Sequence, residues 1–465
     1  MNIAIILAAG EGNRMKSNIP KVLHKICGKP MLSYVLNACK KAEIEKNVVV
    51  VGHGKEKVID YFKDENIIFK EQPIQDNAPY GTGFAVMQAI DEMPDDGIVT
   101  ILYGDTPLIT DTTLNKLICY HKNGNYDGTV LTAVLDNATG YGRIVRKAND
   151  EILKVVEQKD ANENELAIKE INSGMYCFNG KALKYALSKL DNNNAQNEYY
   201  LTDVISILNN NNYSVGACTI DNPIEIHGVN NRVELAFSET EIRKRINENA
   251  MLSGVSIINP MCTYIEPGVV IGKDTIIYPG VVLEGDTTIG ENCIIRANTR
   301  IVSSKINDNV DIESSLIESS VVGEGCHIGP YAHLRPKSYL GKNIKIGNFV
   351  EVKNAIMGDN SKASHLSYVG DADVGMNVNI GCGVVFVNYN GREKFRSVVE
   401  DNAFIGSNSN LVAPIHVDEW GYVAAGSTIT EDVGACDLSI ARARQVNKPG
   451  WVEKKGLKNI NKKHK

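Results

Sequence analysis

From residue 271 onward an aliphatic side chain returns at every sixth position, and this period constrains the chain more than any other feature. It runs through Ile271, Ile277, Leu283, Ile289, Ile295 and Ile301, then Val322, Ile328, Leu334, Leu340, Ile346 and Val352, then Ile405, Leu411, Val417, Val423 and Ile429. Glycine often follows directly, as at Gly272, Gly290, Gly329, Gly341, Gly347 and Gly406. A helix repeats at about 3.6 residues and a half-buried strand at about 2, so neither explains a period of six. A fixed short period means a solenoid, in which each turn buries its apolar side against the next. The longest break, at roughly 387–401, carries NYNGREK and is expected to leave the coil as a loop. Its Asn388, Tyr389, Arg392 and Lys394 suit either a binding loop or solvated surface.

The first half reads differently. Residues 1–228 alternate short β-rich runs (3–7, 48–51, 99–102, 129–135) with helical patterns such as 31–42, which is the signature of an α/β domain with a largely parallel sheet. Ligands of such sheets sit beyond the carboxyl ends of the strands. Residues 229–253 are helical and highly charged and read as a connecting helix. A solenoid domain is expected over 254–450, and a basic tail over 451–465. With 465 residues, 43% hydrophobic and 23% charged, the chain has ordinary globular composition and room for several cores. A net charge of −7 argues against nucleic acid as a partner. No apolar run reaches the roughly 20 residues of a membrane span. Ten scattered cysteines with no CxxC pair read as buried small hydrophobes of a cytoplasmic protein.

Two places carry chemistry in the α/β half. LAAGEGNRM (7–15) follows the first strand, and its glycines let backbone N–H groups approach phosphate oxygens. It lacks the third glycine of the dinucleotide fingerprint and the Gly-Lys-Ser/Thr of Walker A. Arg14 and Lys21 place two cations beside this turn, enough to neutralise a triphosphate and its departing pyrophosphate. ILYGDTPL (101–108) ends a strand in Gly104 and Asp105, where a carboxylate facing the glycine turn suits Mg²⁺.

The repeat resembles the hexapeptide family, whose fold is a left-handed parallel β-helix; the handedness is implied by that resemblance alone. An 18-residue coil would stack on the next at about 4.8 Å. The glycine turn with PKVL (20–23), YGD (103–105), Gly81-Thr82-Gly83, TGYGRI (139–144), VVEQKDA (155–161), EINSG (170–174), NAQNEYYLTD (194–203) and GVNNR (228–232) resemble the sugar-1-phosphate nucleotidyltransferases. With both halves present, the chain to about residue 451 resembles the bacterial bifunctional N-acetylglucosamine-1-phosphate uridyltransferases and glucosamine-1-phosphate acetyltransferases. That resemblance implies UTP, glucosamine-1-phosphate, N-acetylglucosamine-1-phosphate and acetyl-coenzyme A as substrates, Mg²⁺ as cofactor, and a homotrimer. It implies Leu7, Ala8, Ala9, Gly10, Arg14, Lys21, Gln72, Gly81, Thr82, Tyr103 and Asp105 around the nucleotide, and Gly140, Glu157, Asn172 and Asn230 around the sugar. Asp105 and Asn230 would hold the metal. The stretch between Gln72 and Gly81 is longer than in the family, so Gln75 is an alternative reader of uracil, and Phe84 stands where the family often has His.

In the solenoid, AHLRP (332–336), NFVEVKN (348–354) and SKASHLSYVGDADVGMNVNIG (361–381) put polar side chains into a repeat that favours small and aliphatic ones. Such interruptions are costly unless exposed or used. Acyl transfer from a thioester to an amine needs a base for the ammonium proton, and histidine suits that task near neutral pH. The resemblance makes His365 that base. It implies Arg335, Lys353, Tyr368 and Asn379 at the sugar phosphate, and Cys382, Asn388, Tyr389, Ser407, Ala425 and Arg442 at acetyl-coenzyme A or the oxyanion. Ala443-Arg444-Gln445 replaces the usual Val-Pro-Gln beside Arg442.

Overall fold

The computed structural model describes residues 1–74, 79–149 and 151–458. It divides into two compact units, Met1–Arg245 and Ile246–Lys465. Among the described residues, no helix is long and apolar enough to cross a membrane.

The first unit is built on one sheet. Its spatial order is Val215–Thr219, Gly128–Val134, Glu170–Asn179, Ile98–Tyr103, Asn2–Ala8, Lys46–Val51 and Ile67–Glu71. Glu170–Asn179 runs antiparallel to both its neighbours, and the other neighbouring pairs in that order are parallel. The near-continuous apolar runs follow from burial on both faces. Ile3, Ile5 and Leu7 enter one core while Ala4, Ile6 and Ala8 enter the other. The central strand Asn2–Ala8 has Lys46–Val51 on one side and Ile98–Tyr103 on the other, so the strand order reverses there. That reversal opens a crevice beyond its carboxyl end, where the glycine turn begins. Arg143–Arg146 and Ile152–Val156 form an antiparallel flap, joined to the sheet where Ile171 pairs with Arg143.

The helix Arg232–Leu252 begins in this unit. Its early part is tied down by Glu239 Oε2, which accepts from Cys27 N–H at 2.8 Å, and by Arg245 Nη1, which donates to Leu108 O at 2.7 Å.

The second unit is a left-handed parallel β-helix. Among the described residues its short strands stack into three parallel sheets of 11, 10 and 9 strands. The six-residue positions point inward: Ile277, Leu283, Ile295, Ile301, Leu334, Ile346 and Val352 are fully buried. Burying each such side chain contributes about 1.5–3 kcal/mol. Inward corners take small hydroxyl residues that close backbone hydrogen bonds between coils; Thr275 Oγ1 donates to Gly290 O at 2.8 Å and accepts from Cys293 N–H at 3.0 Å. Outer corners are left-handed, and asparagine tolerates that conformation. Asn292, Asn298, Asn309, Asn343, Asn360, Asn377, Asn402 and Asn408 all have φ between 54° and 62°.

The coil is less uniform than an 18-residue period predicts. Thr275 and Cys293 are 18 residues apart on adjacent coils, but Ser315 and Ala332 are 17 apart and Ser304 and Ser320 only 16. Shortening falls at corners, which absorb it while the inward side chains stay stacked; this is why the six-residue count lapses between Ile301 and Val322. One coil is longer, with Met376 and Asp401 25 residues apart. The extra length is a hairpin over 388–396, closed by a Tyr389–Lys394 bridge and by Phe395 N–H to Asn388 O at 2.9 Å.

Candidate active sites

The crevice of the first unit holds a cavity of about 330 Å³. Leu7, Ala8, Ala9, Gly10, Lys21, Gln72, Gly81, Thr82, Tyr103, Asp105 and Asn230 line it, joined by Val22, Tyr80, Ala85 and Glu198. The turn is open at Gly10, where a methyl would meet nothing within 4 Å, and closed at Gly12, where it would stand 2.9 Å from Lys21 Cβ. Gly12, at φ 68°, lets the turn lie against the Lys21 stem.

Lys21 Nζ pairs with Asp105 Oδ2 and donates to Asn230 Oδ1 at 3.2 Å, and Arg14 Nη2 donates to the same Oδ1 at 3.0 Å. Val229 N–H to Asp105 O, at 2.9 Å, fastens the two chain segments together. Asp105 and Asn230 thus present two hard oxygen donors that already share one cation. This donor set suits Mg²⁺, which takes one or two carboxylates and fills its shell with phosphate oxygens and water. Among the described residues no group of three or more His, Cys, Asp or Glu side chains could hold a metal, so a cation here would draw most of its ligands from substrate and water.

Gln72 ends the strand Ile67–Glu71, its N–H bonded to Val51 O at 2.8 Å. The alternative Gln75 lies outside the described residues. Thr82 Oγ1 accepts from Leu201 N–H at 3.2 Å, which seats the NEYYL segment along the cavity. Phe84 lies with its ring centroid 6.3 Å from that of Tyr199.

Gly140 lies in the turn before Arg143–Arg146, Glu157 follows Ile152–Val156, and Asn172 lies within Glu170–Asn179, three segments that adjoin. Gly140 N–H bonds to Gln158 Oε1, and Gly142 O accepts from Asn172 N–H at 2.9 Å. Asn172 is buried, with Nδ2 donating to Tyr176 Oη at 2.8 Å and Oδ1 accepting from Gly174 N–H at 3.0 Å. Burial pushes the Glu157 carboxyl up, opposed by the Thr202 hydroxyl that donates to it at 3.2 Å. Burial raises the Tyr103 phenol as well, reinforced by Glu157 and Asp105.

In the β-helix one outer corner carries Asn348, His365, Cys382, Ser407 and Ala425 on successive coils. Its rungs are Leu366 N–H to Asn348 O at 3.0 Å, Gly383 N–H to Leu366 O at 3.1 Å, Asn408 N–H to Cys382 O at 2.7 Å and Gly426 N–H to Ser407 O at 2.8 Å. A methyl on Gly426 would sit 3.7 Å from Arg442 Cδ, so Arg442 lies at the top of the column. His365 is exposed, and its Nδ1 is 2.7 Å from Asn348 Oδ1. An amide oxygen only accepts, so Nδ1 donates to it, which in a neutral ring leaves the lone pair on Nε2.

The next face carries Tyr368 and ends at Lys353. Arg335 Nη1 pairs with Glu351 Oε1 at 2.8 Å, and Lys353 Nζ with Asp371 Oδ2 at 3.2 Å. Asn388 Nδ2 reaches Tyr368 Oη at 3.2 Å, while Tyr389 Oη turns back onto Gly391 O at 2.7 Å. Asn379 stands apart from these, on the sheet of Lys362 and Phe404. The chain therefore gathers three of the four expected sugar-phosphate residues on one face and leaves the fourth on another.

Sequence reasoning gave no role to several residues at these sites. Tyr80 and Glu198 enter the first cavity because the fold brings 198–201 against 80–83; the sequence signal for this contact is NEYYL (197–201). In the sequence Lys394 is one polar residue of the 387–401 loop, with nothing to tie it to the sugar-phosphate set. It lies against Lys353, whose ammonium holds it below the usual lysine range with help from Arg335.

An α/β unit with a glycine turn, paired cations and a carboxylate at its switch point, followed by a β-helix with a histidine at one outer corner, defines a two-site transferase of the nucleotidyltransferase class. Residues 3–222 match the nucleotidyl transferase family and residues 265–341 the GMPPB C-terminal domain. The chain is similar to Bifunctional protein GlmU of Clostridioides difficile (strain 630), with 55% identity over 98% of each chain. It is equally similar to that of Alkaliphilus oremlandii (strain OhILAs), again 55% over 98% of each, and 52% identical to that of Clostridium kluyveri over 98% of this chain and 99% of the relative. The chain belongs to the bifunctional GlmU family. It is an acetyltransferase and a uridyltransferase of UDP-N-acetylglucosamine synthesis, which feeds the cell wall.

Proposed function

We propose that the β-helix acetylates glucosamine-1-phosphate from acetyl-coenzyme A, and that the α/β unit then transfers uridylyl from UTP to the N-acetylglucosamine-1-phosphate formed. The observation that carries this division is the cavity at the sheet reversal, where Gly10, Lys21, Asp105 and Asn230 converge in one unit while His365 lies in the other.

In uridylyl transfer a phosphate oxygen of the sugar attacks the α-phosphorus of UTP in line, and pyrophosphate leaves without a covalent intermediate on the protein. Catalysis then rests on position and charge. The Leu7–Gly10 turn offers backbone N–H groups to the phosphates, and Arg14 and Lys21 neutralise charge gathering on the leaving oxygens. Gln72, Gly81 and Thr82 read uracil; Tyr103 lines the site; Gly140, Glu157 and Asn172 hold the sugar. Asp105 and Asn230 would hold Mg²⁺, which supplies charge neutralisation between the phosphates when bound. That hold requires Lys21 Nζ to leave Asp105 for a phosphate oxygen.

In acetyl transfer, His365 Nε2 takes a proton from the sugar's ammonium, and the freed amine attacks the thioester carbonyl. The thiolate of coenzyme A leaves and is reprotonated. Asn348 keeps the imidazole in the required tautomer. Arg335, Lys353, Tyr368 and Lys394 surround the sugar phosphate, with Asn379 supplied from another face. Asn388, Tyr389, Cys382, Ser407, Ala425 and Arg442 receive acetyl-coenzyme A.

Beside the His365 column runs an exposed apolar stripe. Tyr331, Phe349 and Leu366 are 61%, 56% and 57% exposed, and the two rings stack at 5.5 Å. These bulky residues have φ of 59°, 57° and 46°, a left-handed backbone conformation unfavourable for large side chains. We read the stripe as the contact between copies of a homotrimer, which also brings Asn379 to a neighbour's site. Among the described residues no cysteine is joined in a disulfide, as suits a reducing cytoplasm.

The test follows thiol and pyrophosphate in one tube with glucosamine-1-phosphate, acetyl-coenzyme A, UTP and Mg²⁺. Pyrophosphate should lag until thiol appears. His365→Ala should lower acetyl transfer at least a hundredfold, on the scale of a lost general base (about 10²–10⁴), and leave uridylyl transfer intact, while Asp105→Ala should do the reverse. A folded single variant that loses both activities would sink the two-site reading.

A further inference from the structure

Asp371 follows the strand Tyr368–Gly370 in a left-handed conformation, φ 49°, and is 7% exposed. Its Oδ1 accepts from Asn354 Nδ2 at 2.6 Å. Its Oδ2 accepts from Lys353 Nζ at 3.2 Å and from Asn388 Nδ2. Its own N–H bonds to Lys353 O at 2.9 Å and its carbonyl accepts from Ser397 N–H at 3.1 Å, so the backbone beneath the carboxylate is pinned on two coils. Burial drives this carboxyl up, yet the donors from Asn354, Lys353 and Asn388 more than offset it and hold it below the usual carboxylate range. Lys353 lies against Lys394, and Arg335 adds a third positive charge. Arg335 has Glu351 as its own partner, which leaves Asp371 as the counter-charge bonded to Lys353.

We propose that Asp371 is a positioning residue for acetyl transfer: one buried carboxylate oxygen holds Lys353 of the sugar-phosphate set and Asn388 of the acetyl-coenzyme A set at a fixed spacing, so that the two substrates meet in register. This rests on the roles given above to Lys353 and Asn388. Asp371 touches neither the amine nor the thioester; it acts through the two side chains it orders. An ionised carboxylate offers about four acceptor positions, and here three donors share them, so replacing it leaves donors unpaired in a buried place.

Asp371→Asn keeps the shape but sets its own N–H donors against Asn354, Lys353 or Asn388. The expected result in the full-length protein is a rise of about tenfold to a hundredfold in KM for both glucosamine-1-phosphate and acetyl-coenzyme A, with a smaller change in kcat. Uridylyl transfer on supplied N-acetylglucosamine-1-phosphate should stay within twofold. A purely structural role would lower the active fraction and leave both KM values alone. Lys353→Met and Asn388→Ala, measured alongside, test the underlying roles: each should raise KM chiefly for its own substrate. If they do so while Asp371→Asn moves neither KM more than twofold, the positioning role is overturned and the substrate roles stand. If they do not, the substrate roles fail first. Should Asp371→Asn not fold, the double variant Lys353→Met/Asn388→Ala reads the same coupling with Asp371 intact: non-additive KM effects support it and additive ones overturn it.

Discussion

Gly81 sets the shape of the nucleotide cavity through its missing side chain. At φ 122° it occupies a region closed to other residues, and a methyl there would stand 2.4 Å from Tyr199 O and 2.7 Å from Tyr199 N. The chain cannot retreat without breaking Gly83 N–H to Tyr199 O, at 2.8 Å, and Leu201 N–H to Thr82 Oγ1, at 3.2 Å. Gly81→Ala should therefore raise KM for UTP at least tenfold, an interaction loss of about 1.4 kcal/mol, and leave acetyl transfer unchanged in the same preparation. An unchanged KM would show that the Tyr80–Leu201 wall does not contact the nucleotide. Residues such as Gly10, Lys21 and Asp105 were legible in the sequence because their chemistry is local: a glycine turn, a cation and a carboxylate each follow a strand end. Asp371, Lys394 and Glu198 were not. Asp371 reads as an ordinary turn residue until stacking brings Lys353 and Asn354 from one coil and Asn388 from another onto its carboxylate. Glu198 faces the cavity only because the fold carries it across more than a hundred residues of chain to Tyr80.

At the scale of elements, the apolar period specified the β-helix more firmly than its details. Inward positions have one apolar signature whatever the corner does, so a coil of 16 residues and one of 25 both keep the stack while defeating a fixed count. In the α/β unit, burial on both faces made the strands plain, but the antiparallel position of Glu170–Asn179 between two parallel partners had no sequence signal. The helix Asp111–Asn123 shows how an element ties stability to pH. It buries His121 in its last turn, with Nδ1 2.9 Å from Thr129 Oγ1 on the adjoining strand. Burial lowers this imidazole to about 4 from an ordinary value of 6.5, with Lys122 adding to the fall and Asp127 opposing it. Between those values the unfolded chain binds a proton that the folded one does not, so stability is present above pH 6.5 and is lost as pH falls toward 4. At about 1.4 kcal/mol per unit the loss approaches about 3 kcal/mol. Urea unfolding of the α/β unit, followed at pH 7 and pH 4.5, should show this loss shrink in His121→Gln. An identical pH response in the variant would place the acid sensitivity elsewhere.

At the scale of the whole molecule, one chain closes the cavity of the first unit by itself, whereas the residues expected around His365 are spread over two faces of the β-helix. Leu7 to Asn230 close around one space within one unit. Around His365, by contrast, a subunit offers a column of small side chains at a corner, cations on one face and Asn379 on another. The stripe of Tyr331, Phe349 and Leu366 next to that column is exposed on three successive coils, so that large apolar side chains face water as one patch on a backbone that is itself left-handed. A neighbour's β-helix laid on the stripe would remove it from water and set the neighbour's residues beside His365. Leu366→Asp places a carboxylate at the end of that contact nearest His365 without changing any residue given a role in either reaction. Sedimentation should then show a species smaller than a trimer, and acetyl transfer should fall at least a hundredfold, while uridylyl transfer per chain stays within twofold because its cavity belongs to one subunit. If the variant still sediments as a trimer with full acetyl transfer, the stripe is not the contact. If it sediments as a monomer with full acetyl transfer, each β-helix completes its own site, and Asn379 has no part in it.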